Sequence, residues 1–176
     1  MTIAGWNPGS LEIKSGRLSL KLFTPSDANE LFACITPAIT RFMQWQPPRS
    51  TTAFAEAWQS RLKPILDGSD LHFVVRCSRD DRCLGLLGLH ATLTACPELG
   101  IWIREEAQGK GIGREAIAAV VAWASEKLEP DCFEYPVAEE NVASRRIAEH
   151  LGGSIAGRRP NSKYVAVVYR IPRLQS

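Results

Sequence analysis

Between the apolar run Ile101-Trp102-Ile103 and a long helical stretch, the chain reads Gln108-Gly109-Lys110-Gly111-Ile112-Gly113. Glycine at every second position lets the backbone approach a ligand and take positive φ without a Cβ clash. The helix that opens directly behind it brings unpaired N–H groups and the positive end of its dipole. A strand, a glycine loop and a helix N-terminus in that order make a seat for a phosphate or pyrophosphate, and Lys110 and Arg114 add positive charge there. A tight glycine turn with no ligand is the competing reading of the same residues. Spacing excludes two other phosphate loops: Gly-x-x-x-x-Gly-Lys-Ser/Thr is absent, and so is Gly-x-Gly-x-x-Gly in a parallel unit with an acidic residue about 20 positions on.

Charge supports a local anion site over a general one. Lysine and arginine number 21 and aspartate and glutamate 19, a net charge of +2, too small to coat nucleic acid electrostatically. The 176 residues suit one domain spanning 1–176, undivided by repeats or linkers. No apolar run of about 18 residues and no basic leader before an apolar segment occurs, so neither a membrane partner nor export is expected and the cytoplasm is the expected compartment. Cys34, Cys77, Cys83, Cys96 and Cys132 are odd in number and widely spaced, with no His at a zinc-ligand offset. They are read as buried free thiols in a reducing compartment, with no metal site.

Hydrophobic period sets out the rest. Leu18, Leu20 and Leu22 alternate as a half-buried strand, and Thr24-Pro25-Ser26-Asp27 caps a helical face of Leu31, Phe32 and Ile35. Phe54, Ala57, Trp58, Arg61, Leu62 and Ile65 recur at helical steps after Thr51 or Thr52, with Pro64 disturbing the end. The segment from Arg41 to Pro48 is a stiff aromatic and proline-rich loop able to line a pocket. Leu71–Cys77 and Cys83–His90 form a hairpin and Glu98–Ile103 a further strand. Ile112, Ala116, Val120 and Trp123 mark one face of the helix behind the glycine loop. A strand near Cys132–Val137 leads to a helix opening at Asn141 and stopping at Gly152-Gly153, and Lys163–Ile171 closes the chain.

Gln108-x-x-Gly111-x-Gly113 matches the Gln/Arg-x-x-Gly-x-Gly/Ala loop that holds the coenzyme A pyrophosphate in the GNAT superfamily of acyl-CoA-dependent N-acetyltransferases, which the chain resembles. Asn141-Val142-Ala143-Ser144-Arg145-Arg146-Ile147 is similar to the helix start of its RimJ/RimL-like branch, which acetylates ribosomal-protein N-termini. Gly85–His90, Glu98–Ile103 and Ile39–Trp45 also resemble that branch. Together these cover most of residues 16–171. The resemblance implies an α/β (α+β) fold: a mixed, mostly antiparallel sheet of six or seven strands with helices on both faces, splayed at the acetyl-CoA site. Two departures stand out. The tyrosine seven residues after the motif asparagine is replaced by Ala148, and the second helix ends Gly152-Gly153 where the family shows Gly-Phe.

Acetyl transfer from a thioester needs a neutral amine, a polarised carbonyl and a proton for the leaving thiolate. Free α-amino and lysine groups are mostly protonated at neutral pH, so a base helps. The resemblance makes Glu98 that base and, with the tyrosine missing, Ser144 the proton donor. It assigns acetyl-CoA binding to Ile101, Trp102 and Ile103 through their backbone, to Gln108, Gly109, Lys110, Gly111, Ile112, Gly113 and Arg114, and to Asn141 and Ser144. Trp45, His90 and Glu98 face the acceptor. Each has a plainer alternative: Glu98 a surface ion pair, Trp102 a core aromatic, Ser144 a helix-start serine, His90 a structural imidazole, and Arg145-Arg146 solvated cations instead of partners for the 3′-phosphate. The acceptor reads as a protein N-terminal α-amino group, or else a polyamine, amino acid or antibiotic, with a non-catalytic acyl-CoA sensor as the contrasting class. A homodimer is the family-level expectation for assembly.

Overall fold

The computed structural model describes residues 7–175. Its centre is one sheet of eight strands: β1 (Glu12–Ser15), β2 (Leu18–Leu22), β3 (Leu71–Cys77), β4 (Cys83–His90), β5 (Glu98–Ile103), β6 (Cys132–Ala138), β7 (Ser154–Pro160) and β8 (Val165–Pro172). They lie in the order β1-β2-β3-β4-β5-β6-β8-β7. Neighbours are antiparallel except β5 and β6. The count exceeds six or seven because both edge strands are nearly silent in hydrophobic period. β1 buries only Ile13, and every residue of β7 is at least partly exposed.

Helices cover both faces, and adjacent residues of β3 show how. The Trp58 ring of α3 (Thr51–Asp67) meets His72 edge-on, while Trp123 of α4 (Ile112–Lys127) meets the neighbouring Phe73. Successive strand side chains point to opposite faces, so α3 and α4 lie on opposite sides of the sheet. α1 (Ala28–Cys34) packs beside α3, a single-turn α2 (Pro37–Thr40) follows it, and α5 (Val142–His150) packs on β6 and β8. α3 begins where the Ser50 hydroxyl accepts from the Ala53 N–H, runs through Pro64, and ends at Gly68 in the left-handed conformation. That turn delivers Asp70 to the start of β3.

The sheet opens at its middle, between β5 and β6. β5 and β6 are joined in register at the single pair Glu98 and Glu134, with the Glu134 N–H donating to Pro97 O at 2.9 Å. The cysteine expectation needs correction at the same place: Cys96 and Cys132 form a disulfide, leaving Cys34, Cys77 and Cys83 as free thiols. Its two cysteines are 36 residues apart in sequence with Cα atoms at 4.8 Å, because the parallel crossover through α4 returns the chain beside its starting point. The bridge ties the two strands at the end where they meet, and they diverge beyond it.

Candidate active site

The divergence frees one edge of β5. The Arg104 N–H donates to Leu84 O on the β4 side at 2.8 Å, and antiparallel pairs alternate in which residues face the partner. The amides of Gly100 and Trp102 therefore also face β4, while those of Leu99, Ile101 and Ile103 face the gap. Pro97 O, bonded to β6, shows the same parity. This revises the role expected of Trp102. Its backbone serves the sheet, its ring is buried, and the free donors are Ile101 and Ile103.

At the far end of β5 the glycine loop turns into α4. Gly109 and Gly111 take φ of 71° and 75°, a region that costs other residues about 1–2 kcal/mol. Gly113 instead sits inside the helix, where a Cβ would lie 3.3 Å from the Ile147 side chain. The first bond within α4 runs from the Glu115 N–H to Gly111 O, so the amides of Ile112, Gly113 and Arg114 remain unpaired in the first turn. The loop is braced from beneath: Gln108 Nε2 donates to Ile103 O at 2.8 Å, Lys110 Nζ to Glu106 O at 2.6 Å, and Arg17 Nη1 to Lys110 O at 3.1 Å. Arg17 also pairs with Glu115 at 2.7 Å. Gln108 thus acts by holding the loop to the strand. Arg114 leans on His150 at 3.3 Å, and Arg145 is turned inward to Tyr169 Oη and Glu139 O.

The other half of the predicted site converges on a cavity of about 140 Å³ beside the gap, lined by Trp45, His90, Glu98, Ile101, Asn141 and Ser144 among others. Asn141 caps α5, its Oδ1 accepting from the Ser144 N–H at 3.2 Å. Glu98 reaches this cavity with a partner: Arg159 Nη1 lies 2.6 Å from its Oε2, and Arg159 Nη2 is 2.9 Å from Glu134. A second cavity of about 230 Å³ lies against it, walled by Phe54, Trp58, Arg61 and Trp102 and by the 41–48 loop. Met43, Trp45, His90, Gly100 and Ile101 line both. Lys163 fastens that loop, donating to Thr40 O at 3.2 Å and Trp45 O at 2.7 Å.

A gap edged by free strand amides, leading to an exposed helix N-terminus and glycine loop, fits the extended arm and pyrophosphate of coenzyme A. Residues 17–154 match the family described as Acetyltransferase (GNAT) domain. The chain belongs to the GNAT acetyltransferases. A Bacillus subtilis (strain 168) protein named "Putative ribosomal N-acetyltransferase YdaF" is 27% identical over 158 residues, covering 84% of each chain. The fold is also that of RimL, a ribosomal L7/L12 alpha-N-protein acetyltransferase, at a TM-score of 0.81 and 18% identity over 92% of this chain and 94% of that one. Spermidine N-acetyltransferase from Vibrio cholerae, solved with CoA and spermine, aligns at 0.77 and 21% over 90% and 97%. This GNAT protein is accordingly an acetyl-CoA-dependent N-acetyltransferase with an amine acceptor.

Two groups of this GNAT site escaped sequence reasoning. Tyr135 on β6 is buried in the cavity wall that Ser144 also lines; burial pushes its phenol up to about 12, and the nearby Ser144 side chain acts in the opposite direction. A phenol is thus present although Ala148 occupies the helix position where the family shows one, and no local spacing links Tyr135 to Ser144. The second is Asp70, whose Oδ1 lies 2.6 Å from His90 Nδ1. Asp70, His72 and His90 have donor atoms within 4.8 Å of one another, a grouping created by the β3–β4 pairing. Among the described residues, no helix is long and apolar enough to cross a membrane.

Proposed function

We propose that this acetyltransferase modifies the α-amino group of a protein N-terminus. The observation that carries the reading is the lining of the larger cavity: Met43, Trp45, Pro48, Phe54, Trp58 and Trp102 with Arg61, and no carboxylate. A polyamine brings two or more further cations, which an apolar wall leaves unpaired and Arg61 repels. An N-terminal peptide brings one amine, a side chain suited to apolar burial and backbone groups for hydrogen bonding. Glu98, the carboxylate of the adjoining cavity, is already neutralised by Arg159.

Acetyl-CoA supplies the activated acetyl thioester. Around it, the Ile101 and Ile103 amides hold the extended arm and polarise the thioester carbonyl. The loop from Gly109 to Gly113, with Ile112 and Arg114 in the first turn of α4, takes the pyrophosphate with Lys110 beside it, and Asn141 accepts from the arm's amide. Ser144, backed by the Tyr135 phenol, donates the proton that the leaving thiolate needs. Glu98, fixed by the ion pair with Arg159, accepts a hydrogen bond from the incoming amine and sets its angle. The test is thiol release from acetyl-CoA with N-terminal peptides, spermidine, amino acids and aminoglycosides. Peptides should give kcat/KM at least tenfold above every small amine, and the opposite order would remove the reading.

A further inference from the structure

We propose that Asp70 and His90 form a carboxylate–imidazole dyad that removes the proton from the attacking amine, with His90 as the catalytic base and Asp70 as the residue that positions it. This rests on the reading that the paired cavities receive the amine. Asp70 lies 2.6 Å from His90 Nδ1, so that nitrogen donates its N–H to the carboxylate and Nε2 keeps its lone pair for the substrate. The Nε2 edge lies over Gly88, where a Cβ would collide with it. Gly88 stands opposite Gly100 in the β4–β5 register, and these two positions without side chains leave room at the boundary of both cavities, which His90 alone of the chain's histidines lines on both sides.

The charged and titratable groups facing His90 come from each element around it. They are Asp70 at the start of β3, His72 on β3, Glu98 opposite it on β5, and Arg61 on α3. Glu98 is committed to Arg159. His72 stands edge-on to His90 with ring centroids 5.0 Å apart, and its Nε2 is 3.7 Å from Asp70, beyond hydrogen-bond distance. Burial, with His90 beside it, pushes the His72 imidazole down to about 3, so it stays neutral and walls the dyad without competing for the proton. Asp70 is itself held by its N–H bond to Pro64 O at 3.3 Å. In the step, the amine nitrogen bonds the acetyl carbon and its proton passes to His90 Nε2. The C–S bond breaks with its electron pair on sulfur, Ser144 protonates that sulfur and takes a proton back from solvent, and the His90 imidazolium returns its proton to solvent.

The experiment compares the full chain with His90→Ala, Asp70→Asn and Glu98→Gln, using the best acceptor of the amine panel. His90→Ala should lower kcat about 100- to 1,000-fold with the KM for acetyl-CoA changed less than about threefold, and added imidazole should restore part of the rate. Asp70→Asn should lower kcat about 10- to 100-fold, again without changing coenzyme binding. Retained kcat in His90→Ala, or loss of coenzyme affinity in step with kcat, overturns the dyad. So does activity that chelator abolishes and zinc restores, which would make the three side chains metal ligands. Should the variants fold poorly, long-range proton–nitrogen NMR of the wild type decides: His90 must carry its proton on Nδ1, and an Nε2–H tautomer overturns the proposal. Failure of the acceptor reading differs from all of these, since it appears as a wild-type preference for small amines.

Discussion

Gly111 tests the phosphate seat because its conformational cost is separable from any clash. Its φ is 75°, and a Cβ built there would meet nothing closer than 3.6 Å, a nitrogen of the Arg17 guanidinium. Gly111→Ala therefore leaves packing intact and adds only the left-handed penalty, about 1–2 kcal/mol for a non-glycine residue. If the bound loop requires the left-handed backbone while the free loop can relax, that penalty is felt on binding and the Kd for acetyl-CoA rises about 5- to 30-fold, at 1.4 kcal/mol per decade. Gly109→Ala is the internal comparison, since its φ is 71° and nothing lies within 4 Å of the added carbon. Isothermal titration with acetyl-CoA measures both, and a thermal melt of the free protein reads how much strain is already present. Unchanged affinity in both variants with unchanged melting temperature would refute the claim that the loop backbone holds the ligand. A loss of melting temperature with unchanged affinity would show the strain to be structural and would separate the glycines from binding.

Two further expectations concern stability. The Cys96–Cys132 bridge closes a loop of 36 residues, for which chain entropy gives about 3–4 kcal/mol, so Cys96→Ser should lower the urea midpoint and reductant should reproduce the loss in the wild type; an unchanged midpoint would show the bridge to be absent in solution. His72 governs part of the acid limb. The unfolded imidazole protonates near 6.5 and the native one only near 3, so between those values the unfolded state binds more protons and stability falls as pH falls. His72→Phe keeps a ring against Trp58 and should remove on the order of 3 kcal/mol of the loss between pH 7 and pH 4. Urea titrations at the two pH values check this, and equal losses in variant and wild type would exclude the assignment.

The residues legible in the sequence were those whose function is local. Gly109, Gly111 and Gly113 declare a strand-to-helix turn by spacing alone, and Asn141 and Ser144 lie three apart, so a cap and the residue it bonds are visible in one helical turn. What the sequence hid depends on strands meeting. Asp70 and His90 are 20 residues apart and become partners only when β3 and β4 pair with Leu71 opposite Leu89. Tyr135 meets Ser144 only because the strand and helix fold over each other. β7 was missed for the reverse reason: an edge strand whose side chains stay in solvent has no burial to imprint an apolar alternation. The same distinction bears on mechanism. The family resemblance points to Glu98, yet Arg159, which occupies its carboxylate, arrives from an edge strand 61 residues later. His90 stands directly opposite Glu98 across β4 and β5, and its imidazole has a carboxylate behind it and open cavity in front. A proton acceptor must present a free lone pair to the substrate, and of these two neighbours the imidazole is the one so placed.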